Sequence, residues 1–369
     1  VTDAAGDELN QPLGVRYVYN SDGHLAQLME AANGSVGKVY IEYTDQDARG
    51  QISQTRYGNG LVTDRLYDAR TGLVQWIGTA GFGSAVQDLS YTFDMLGNLI
   101  EREQNTLGLH QAEVFAYDGL NRLKTVRFSS SDLGVSNQLS LSMSYDASGN
   151  ITSKTGVGSY QYLNGRPHAA SRAGSTNYQY DLNGNVTSDS SGRSFSYTSF
   201  ERLLRASKGS NWSEYYYAPD LNWVKRQTQG SDAANASAET VWRIGNVEIV
   251  EKNGIRELKR TIGGEVQISH WSNGNQTERY LHKDHLGSVD SISNVNGFVT
   301  ERMSFGAFGE RRGIYDWRNG LSSMATAALR EITARGYTSS TWAGASMILS
   351  LGASCRPIRL CRHLTTART

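Results

Sequence analysis

The chain of 369 residues carries 36 Lys plus Arg against 36 Asp plus Glu, a formal charge of zero. That balance excludes nucleic-acid binding through bulk positive charge and argues against a polybasic membrane tether. With 39 Gly and 20 Tyr against only 4 Pro, the composition fits turn-rich β structure and not disorder, which favours proline and few aromatics. Length alone allows two or three compact domains.

No apolar run is long enough to read as a membrane-spanning helix. The opening VTDAAGDELNQP lacks a basic start followed by an apolar stretch, so no export signal is visible, and the chain reads as a piece of a longer one. Residues 1–16 are taken as a lead-in. From there a unit recurs: an aromatic, often followed by Asp, a Gly or Asn a few residues on, then an aliphatic residue. The copies are Tyr19-NSDGHL, Tyr43-TDQDARGQI, Tyr67-DARTGLV, Phe93-DMLGNL, Tyr117-DGLNRL, Tyr145-DASGNI, Tyr180-DLNGNV and Tyr197-TSFERL. Their spacings are 24, 24, 26, 24, 28, 35 and 17 residues. Self-similarity of this kind marks a repeat architecture.

Each copy has a simple physical reading. The aromatic ends a strand, Asp, Asn and Gly make the turn, and the aliphatic residue opens the next strand. Flanking segments such as Ser142-Met-Ser-Tyr-Asp alternate with the period of a strand. One hairpin cannot bury its apolar face alone, whereas stacked hairpins build a continuous sheet. The predicted fold is therefore all-β: a repetitive hairpin strip over 17–270, followed by a distinct segment over 271–338. Ser131 to Gln138 and Gly230 to Glu239 read as exposed polar loops. Ser322 to Ala334, Ala-rich and free of Gly and Pro, reads as one short helix near the C-terminus.

The eight copies resemble the YD repeats of the Rhs family. Downstream, Tyr280-LHKDHLGSVDSISNVNGFVTERMSFGAFGERR resembles the Rhs repeat-associated core, through Asp284-His285-Leu286-Gly287, Asn296-Gly297 and Phe305-Gly-Ala-Phe308-Gly309-Glu310. The family usually has Tyr where Phe305 stands. The resemblance implies a β-sheet strip curled into part of a hollow cocoon, as in the related C components of insecticidal toxin complexes. Such a shell encloses a variable C-terminal toxin domain, and conserved aspartates after the core free the toxin by self-cleavage. It implies as partners the chain's own C-terminal cargo and a secretion or delivery apparatus, with the intact parent secreted or at the cell surface. Related repeats in teneurins and wall-associated proteins work extracellularly.

After Arg335-Gly-Tyr-Thr338 the family expects a stretch of the form Y-D-P-x-L-G-R-F-x-x-x-D-P. The chain instead runs to its end through a tail, 339–369, holding its only cysteines, Cys355 and Cys361. Back-translated Ser346 to Leu360, read from the third base of each codon, permits YDPKLGRFLQADPL. A shift of reading frame near 338–341 is the expectation, which leaves the core incomplete and the self-cleaving segment and cargo unencoded in this frame.

Other chemistry is weakly signalled. His282, Asp284 and His285 could offer metal ligands, but no further ligand is spelled out nearby and a turn role is simpler. Gly81-Phe-Gly and Ile262-Gly-Gly-Glu do not fit a phosphate loop. The Asp-x-x-Gly units lack the acidic ladder of a calcium loop. The tyrosines could stack on sugars, although packing within the sheet explains one aromatic per hairpin. No catalytic, metal or cofactor residue is assigned. The favoured function is a non-catalytic shell segment of a toxin carrier. A cell-surface module binding glycans or proteins is the alternative, and a self-cleaving aspartyl protease the third reading.

Overall fold

The computed structural model describes residues 14–31, 37–106, 109–230 and 238–309. The expected helix at 322–334, Glu310 and the tail 339–369 lie outside the described residues. Within them the fold is all-β, as the repeats predict. The strands of the first part are β1 (Val15–Tyr19), β2 (Leu25–Glu30), β3 (Val39–Gln46), β4 (Ile52–Tyr57), β5 (Val62–Tyr67), β6 (Val74–Gly81), β7 (Ser84–Phe93), β8 (Leu99–Thr106) and β9 (Leu109–Tyr117). The middle part holds β10 (Leu123–Ser130), β11 (Val135–Tyr145), β12 (Ile151–Lys154), β13 (Gly158–Leu163), β14 (Arg166–Ala173), β15 (Thr176–Tyr180), β16 (Val186–Asp189), β17 (Arg193–Tyr197) and β18 (Leu203–Lys208). Last come β19 (Asn211–Tyr217), β20 (Trp223–Gln229), β21 (Glu239–Ile244), β22 (Val247–Lys252), β23 (Ile255–Ile262), β24 (Val266–Trp271), β25 (Gln276–Lys283), β26 (Val289–Asn294) and β27 (Val299–Arg302).

Every strand pairs antiparallel with the next, so the chain forms one long ribbon of hairpins. The sheet runs through residues 270 and 271 without interruption. Sequential pairing follows from the short turns, which leave each strand no nearer partner than the one just formed.

The repeat turn has a common build. In Phe93-DMLGNL, Asp94 Oδ1 accepts from the amides of Leu96 (2.9 Å) and Asn98 (2.8 Å), and Gly97 takes a φ of 83° that only glycine adopts without strain. Asp118, Asp146 and Asp181 repeat the carboxylate pattern. The ladder slips by one residue at the aromatic, so Phe93 faces Leu99, Tyr117 faces Leu123 and Tyr145 faces Ile151. Phe93, Tyr67, Tyr117, Tyr145, Tyr180 and Tyr197 each end a strand and are half-buried. Tyr19 ends β1 but is 60% exposed. Tyr43 sits inside β3, because the turn of that copy centres on Asp47.

The tyrosine hydroxyls tie successive units together. Tyr117 donates to the carbonyl of Leu99 (2.8 Å), Tyr145 to Leu123 (2.8 Å), Tyr197 to Val186 (2.9 Å) and Tyr67 to Ile52 (3.1 Å). In each case the acceptor is the residue that opened the preceding unit's second strand, and Tyr180 makes the equivalent bond to Ala170 (2.7 Å). This explains why the position prefers Tyr to Phe. Tyr117→Phe is expected to cost about 1 kcal/mol, one net hydrogen bond. Phe93→Tyr, placed to reach Val74, is expected to gain a similar amount; urea midpoints at constant slope check both.

Two segments differ from expectation. Ser131 to Gln138 is not a loop: 131–134 form a tight turn and Val135 already opens β11. Its small polar residues suit an exposed strand as well as a loop, and composition does not distinguish them. Of Gly230 to Glu239, residues 231–237 lie outside the described residues. Glu239 is buried in β21 and paired with Arg226 at 3.0 Å.

The ribbon folds back on itself. Leu28, Tyr40, Ile41, Tyr57, Leu61 and Val86 from the first seven strands pack with Ile262, Val266, Ile268 and Tyr280 from β23–β25 in one buried cluster. A second cluster, centred on Ile77, Tyr91, Phe115 and Met143, receives Phe308. A smaller one joins Leu281, Val289, Ile292 and Met303, with Phe305 against it. The C-terminal strands thus pack on a face of the early repeats, and β26 lies across β7.

Candidate functional site

The fold-back buries the segment from Tyr280 to Gly309 against β4–β12. Its turns use the repeat device: Asp284 Oδ1 accepts from Leu286 N (2.9 Å) and Ser288 N (2.8 Å), and Gly287 has a φ of 84°. Asn294 does the same for Asn296 and Phe298, with Gly297 at 80°. A Cβ at Gly297 would also lie 2.7 Å from the Phe82 ring, which would have to swing aside. Leu286 is half-exposed at its turn tip.

Between the two parts lies a knot of polar groups around a cavity of ≈ 40 Å³, lined in part by Tyr91, Arg102, Gln104, Gln111, Asp284 and Asp290. Asp290 is fully buried; Gln104 Nε2 donates to its Oδ1 (2.8 Å) and Ser291 Oγ to its Oδ2 (2.9 Å). Arg102 bonds the Glu113 carboxylate and the Phe305 carbonyl, while its guanidinium lies 5.6 Å over the Phe115 ring. Ser304 Oγ donates to Gln111 Oε1 (2.9 Å), and Arg302 to the Val86 carbonyl (3.1 Å). One guanidinium thus clamps β8, β9 and the segment around Phe305. Removing a partner would leave a buried charge uncompensated.

Burial dominates the titration here. It pushes the Asp290 carboxyl up to about 7, with the Asp284 charge adding in the same direction and the Ser291 bond opposing. Asp284 is also raised by burial. His282 is held down to about 3 by burial, assisted by Arg65 and Arg302. His285 is held down to about 3 by burial and by Arg102.

The two imidazoles face different surroundings. His282 bonds Ser293 Oγ (2.9 Å) and packs edge-on to Tyr57 at 5.3 Å. His285 packs on Tyr91 at 4.1 Å, and its amide donates to the Tyr91 hydroxyl. Among the described residues no group of three His, Cys, Asp or Glu is placed to hold a metal ion. Tyr280, fully buried, meets Tyr57 at 5.9 Å and donates to Glu278, which pairs with Lys38. The Phe308 ring lies 4.4 Å beneath the Lys154 ammonium, and Gly309 closes a turn on Gly306.

Several participants carry no motif. Asn59 donates to Ser293 Oγ (3.0 Å) and the Asn294 carbonyl (2.9 Å), and Tyr57 to Glu265 (3.0 Å), across more than two hundred residues. Asp290, Arg102, Gln104 and Glu113 were not singled out. Alternation along β8 and β9 with charges on the inward positions was the available signal. Two repeat copies were also missed. Tyr162 bonds the Ile151 carbonyl (2.8 Å) and Tyr217 the Leu203 carbonyl (2.7 Å) as the others do. The interval from Tyr145 to Tyr180 conceals the first, and Ala218 in place of Asp conceals the second.

These features define a class: a single antiparallel hairpin ribbon, closed on its own C-terminal segment through a buried carboxylate–guanidinium knot. Solved toxin-complex structures share the fold. The crystal structure of TcdB2-TccC3-Cdc42 matches with a TM-score of 0.66 at 19% identity, over 81% of this chain and 17% of that one. TcdB2-TccC3 without its hypervariable C-terminal region gives 0.67 at 18% identity over the same shares. The Tc holotoxin pore of Photorhabdus luminescens gives 0.60 at 16%. The chain therefore spans about a sixth of the length of these neighbours, as the covered share of 17% states. No protein-family model matches the sequence, and no curated protein matches it.

Proposed function

We propose that the chain is a non-catalytic wall segment of an Rhs-type toxin carrier, whose parent encloses a C-terminal cargo. The observation that carries this reading is the fold-back: the segment from Tyr280 to Gly309 seats on β4–β12 and closes the ribbon at one place. A wall needs rigidity and no turnover, and the buried knot supplies rigidity by holding three elements through one guanidinium. Likeness of fold to TccC3-containing chains supports the reading. Release of cargo by aspartates after the core belongs to the same proposal, as do export from the cell and a delivery apparatus.

The test begins with the nucleotides around codons 338–341. A restored frame reading YDPKLGRFLQADPL into a further domain is expected. The frame-restored parent should then protect that domain from protease until the wall is opened by denaturant. An uninterrupted frame with no downstream coding, or a downstream domain digested at the same rate with the wall intact, would overturn the proposal.

A further inference from the structure

Successive turns of an antiparallel ribbon fall on alternate edges, so the turns that follow odd-numbered strands share one edge. From β5 to β20 that edge carries the turns at 68–72, 94–97, 118–121, 146–149, 164–165, 181–184, 198–201 and 218–221. Six large apolar side chains stand exposed on them: Met95, Leu96, Leu120, Leu182, Phe200 and Leu221. Turn formation does not demand them. Between β14 and β19 the opposite edge turns on Gly174-Ser175, Ser190-Ser191-Gly192 and Gly209-Ser210. Leu221 is also held at a φ of 64°, at the turn position that Gly97, Gly149 and Gly184 occupy in sister copies. A bulky residue is disfavoured there, so a leucine in that place points to a use for its side chain.

The turns form a fixed ledge. Asn98 Nδ2 donates to Asn121 Oδ1 (3.1 Å), Arg166 Nη1 to the Asp181 carbonyl (2.7 Å) and Asn183 Nδ2 to Glu201 Oε1 (2.7 Å), each joining one turn to the next. Groups held in place beforehand cost less to order on association. The order along the ledge is self-complementary. It begins with Arg70, then Met95 and Leu96, then Leu120, then the small pair Ala147-Ser148. Past the midpoint come Asn164-Gly165, Leu182, Phe200 and finally Asp220. A second ledge turned end for end sets Leu182 on Leu120, Phe200 on Met95 and Leu96, and Asp220 on Arg70. The small turns meet at the centre and allow close approach. Eight turns two strand spacings apart run roughly 65 Å, and a sheet is roughly 10 Å thick. The edge-on contact is then about 650 Å² a side, near the ≈ 800 Å² of a standard specific interface.

We propose that this edge pairs with the same edge of a second copy of the chain, about a two-fold axis between the 146–149 and 164–165 turns. An isologous contact is closed, so association stops at the dimer. Leu120 and Leu182 lie near the axis and cover each other twice, while the Arg70–Asp220 pairs sit at the two rims. Apolar anchors near the centre supply the affinity, and the rim charges fix the orientation. The inference is independent of the wall reading, since it uses turns that the fold-back leaves exposed.

Sedimentation equilibrium of the full chain, from ~1 to ~100 μM, is expected to show a monomer–dimer equilibrium and nothing larger. Leu120→Lys and Leu182→Glu should each weaken the dimer at least ~10-fold. Their unfolding temperatures should stay unchanged, because both side chains point into solvent in the monomer. Mixing the two variants should restore association. The axis sets the new cation against the new anion and leaves the remaining leucines paired. Arg70→Glu should weaken the dimer several-fold, and adding Asp220→Arg in the same chain should recover it. A chain still monomeric at ~100 μM, or association that no variant changes, would overturn the proposal. So would mixed variants that stay apart, since the apolar turns would then serve a partner of another kind.

Discussion

Asp290→Asn is expected to raise stability at pH 8 by about 3 kcal/mol and to leave it nearly unchanged near pH 3.5. The Asp290 carboxyl is fully buried, and burial, reinforced by Asp284, pushes its titration up to about 7 from an ordinary 3.8. Between those values the folded chain keeps a proton that the unfolded chain has lost. Stability therefore falls as pH rises through that window and is flat above it. Asn at 290 keeps the hydrogen-bonding shape facing Gln104 and Ser291 without the charge. His282 acts in the opposite sense. Burial, Arg65 and Arg302 hold its imidazole down to about 3. The unfolded chain protonates below an ordinary 6.5, so stability falls as pH drops from there to about 3. His285, beside Arg102, adds to the acid loss. In the wild type these slopes oppose one another across the mildly acid range. The variant should steepen the acid slope, which the raised Asp284 still opposes. Urea unfolding from pH 3.5 to 8.5 checks this, and parallel wild-type and variant curves would refute it.

Gly58→Ala should destabilise the fold by about 3 kcal/mol and loosen the fold-back first. A Cβ at 58 would stand 2.3 Å from the Val39 carbonyl oxygen and 2.9 Å from the Tyr280 hydroxyl. The carbonyl belongs to the β3 backbone and cannot swing aside. Relief requires moving β3 from β4 or lifting Tyr280 from the cluster it shares with Tyr57 and Ile41. Gly119→Ala is the control: nothing lies within 4 Å of its Cβ, and its effect should stay within ~0.5 kcal/mol. Amide exchange should show β25 losing protection in Gly58→Ala before β15–β18 do, because those strands share no buried cluster with Tyr280. Uniform loss across the ribbon would contradict the account.

The repeat turns were readable because their cause is local. An Asp four residues before its amide partner, a glycine at positive φ and an aliphatic residue opening the next strand all lie within seven positions, as in Phe93 to Leu99. Tyr162 and Tyr217 escaped for the same reason: Leu163 and Ala218 replace the Asp, while the hydroxyl bond that marks the copy reaches back 11 and 14 residues. Ser131 to Gln138 was misjudged because small polar residues serve a turn, an exposed strand and a loop alike. In the core segment, Asp284, Gly287 and Gly297 were legible as turn formers, but Asp290 looked like any strand-borne carboxylate.

Periodicity along the chain was thus sufficient for the all-β ribbon, its sequential antiparallel pairing and most of its bends, since each depends on neighbours a hairpin apart. Only the tertiary structure decided where the ribbon returns to itself. Asn59 meeting Ser293, Gln104 meeting Asp290 and Arg102 meeting Phe305 depend on curvature accumulated over many strands, a sum of small twists that no single unit encodes. That return buries Asp290 and His282 and thereby sets their titration.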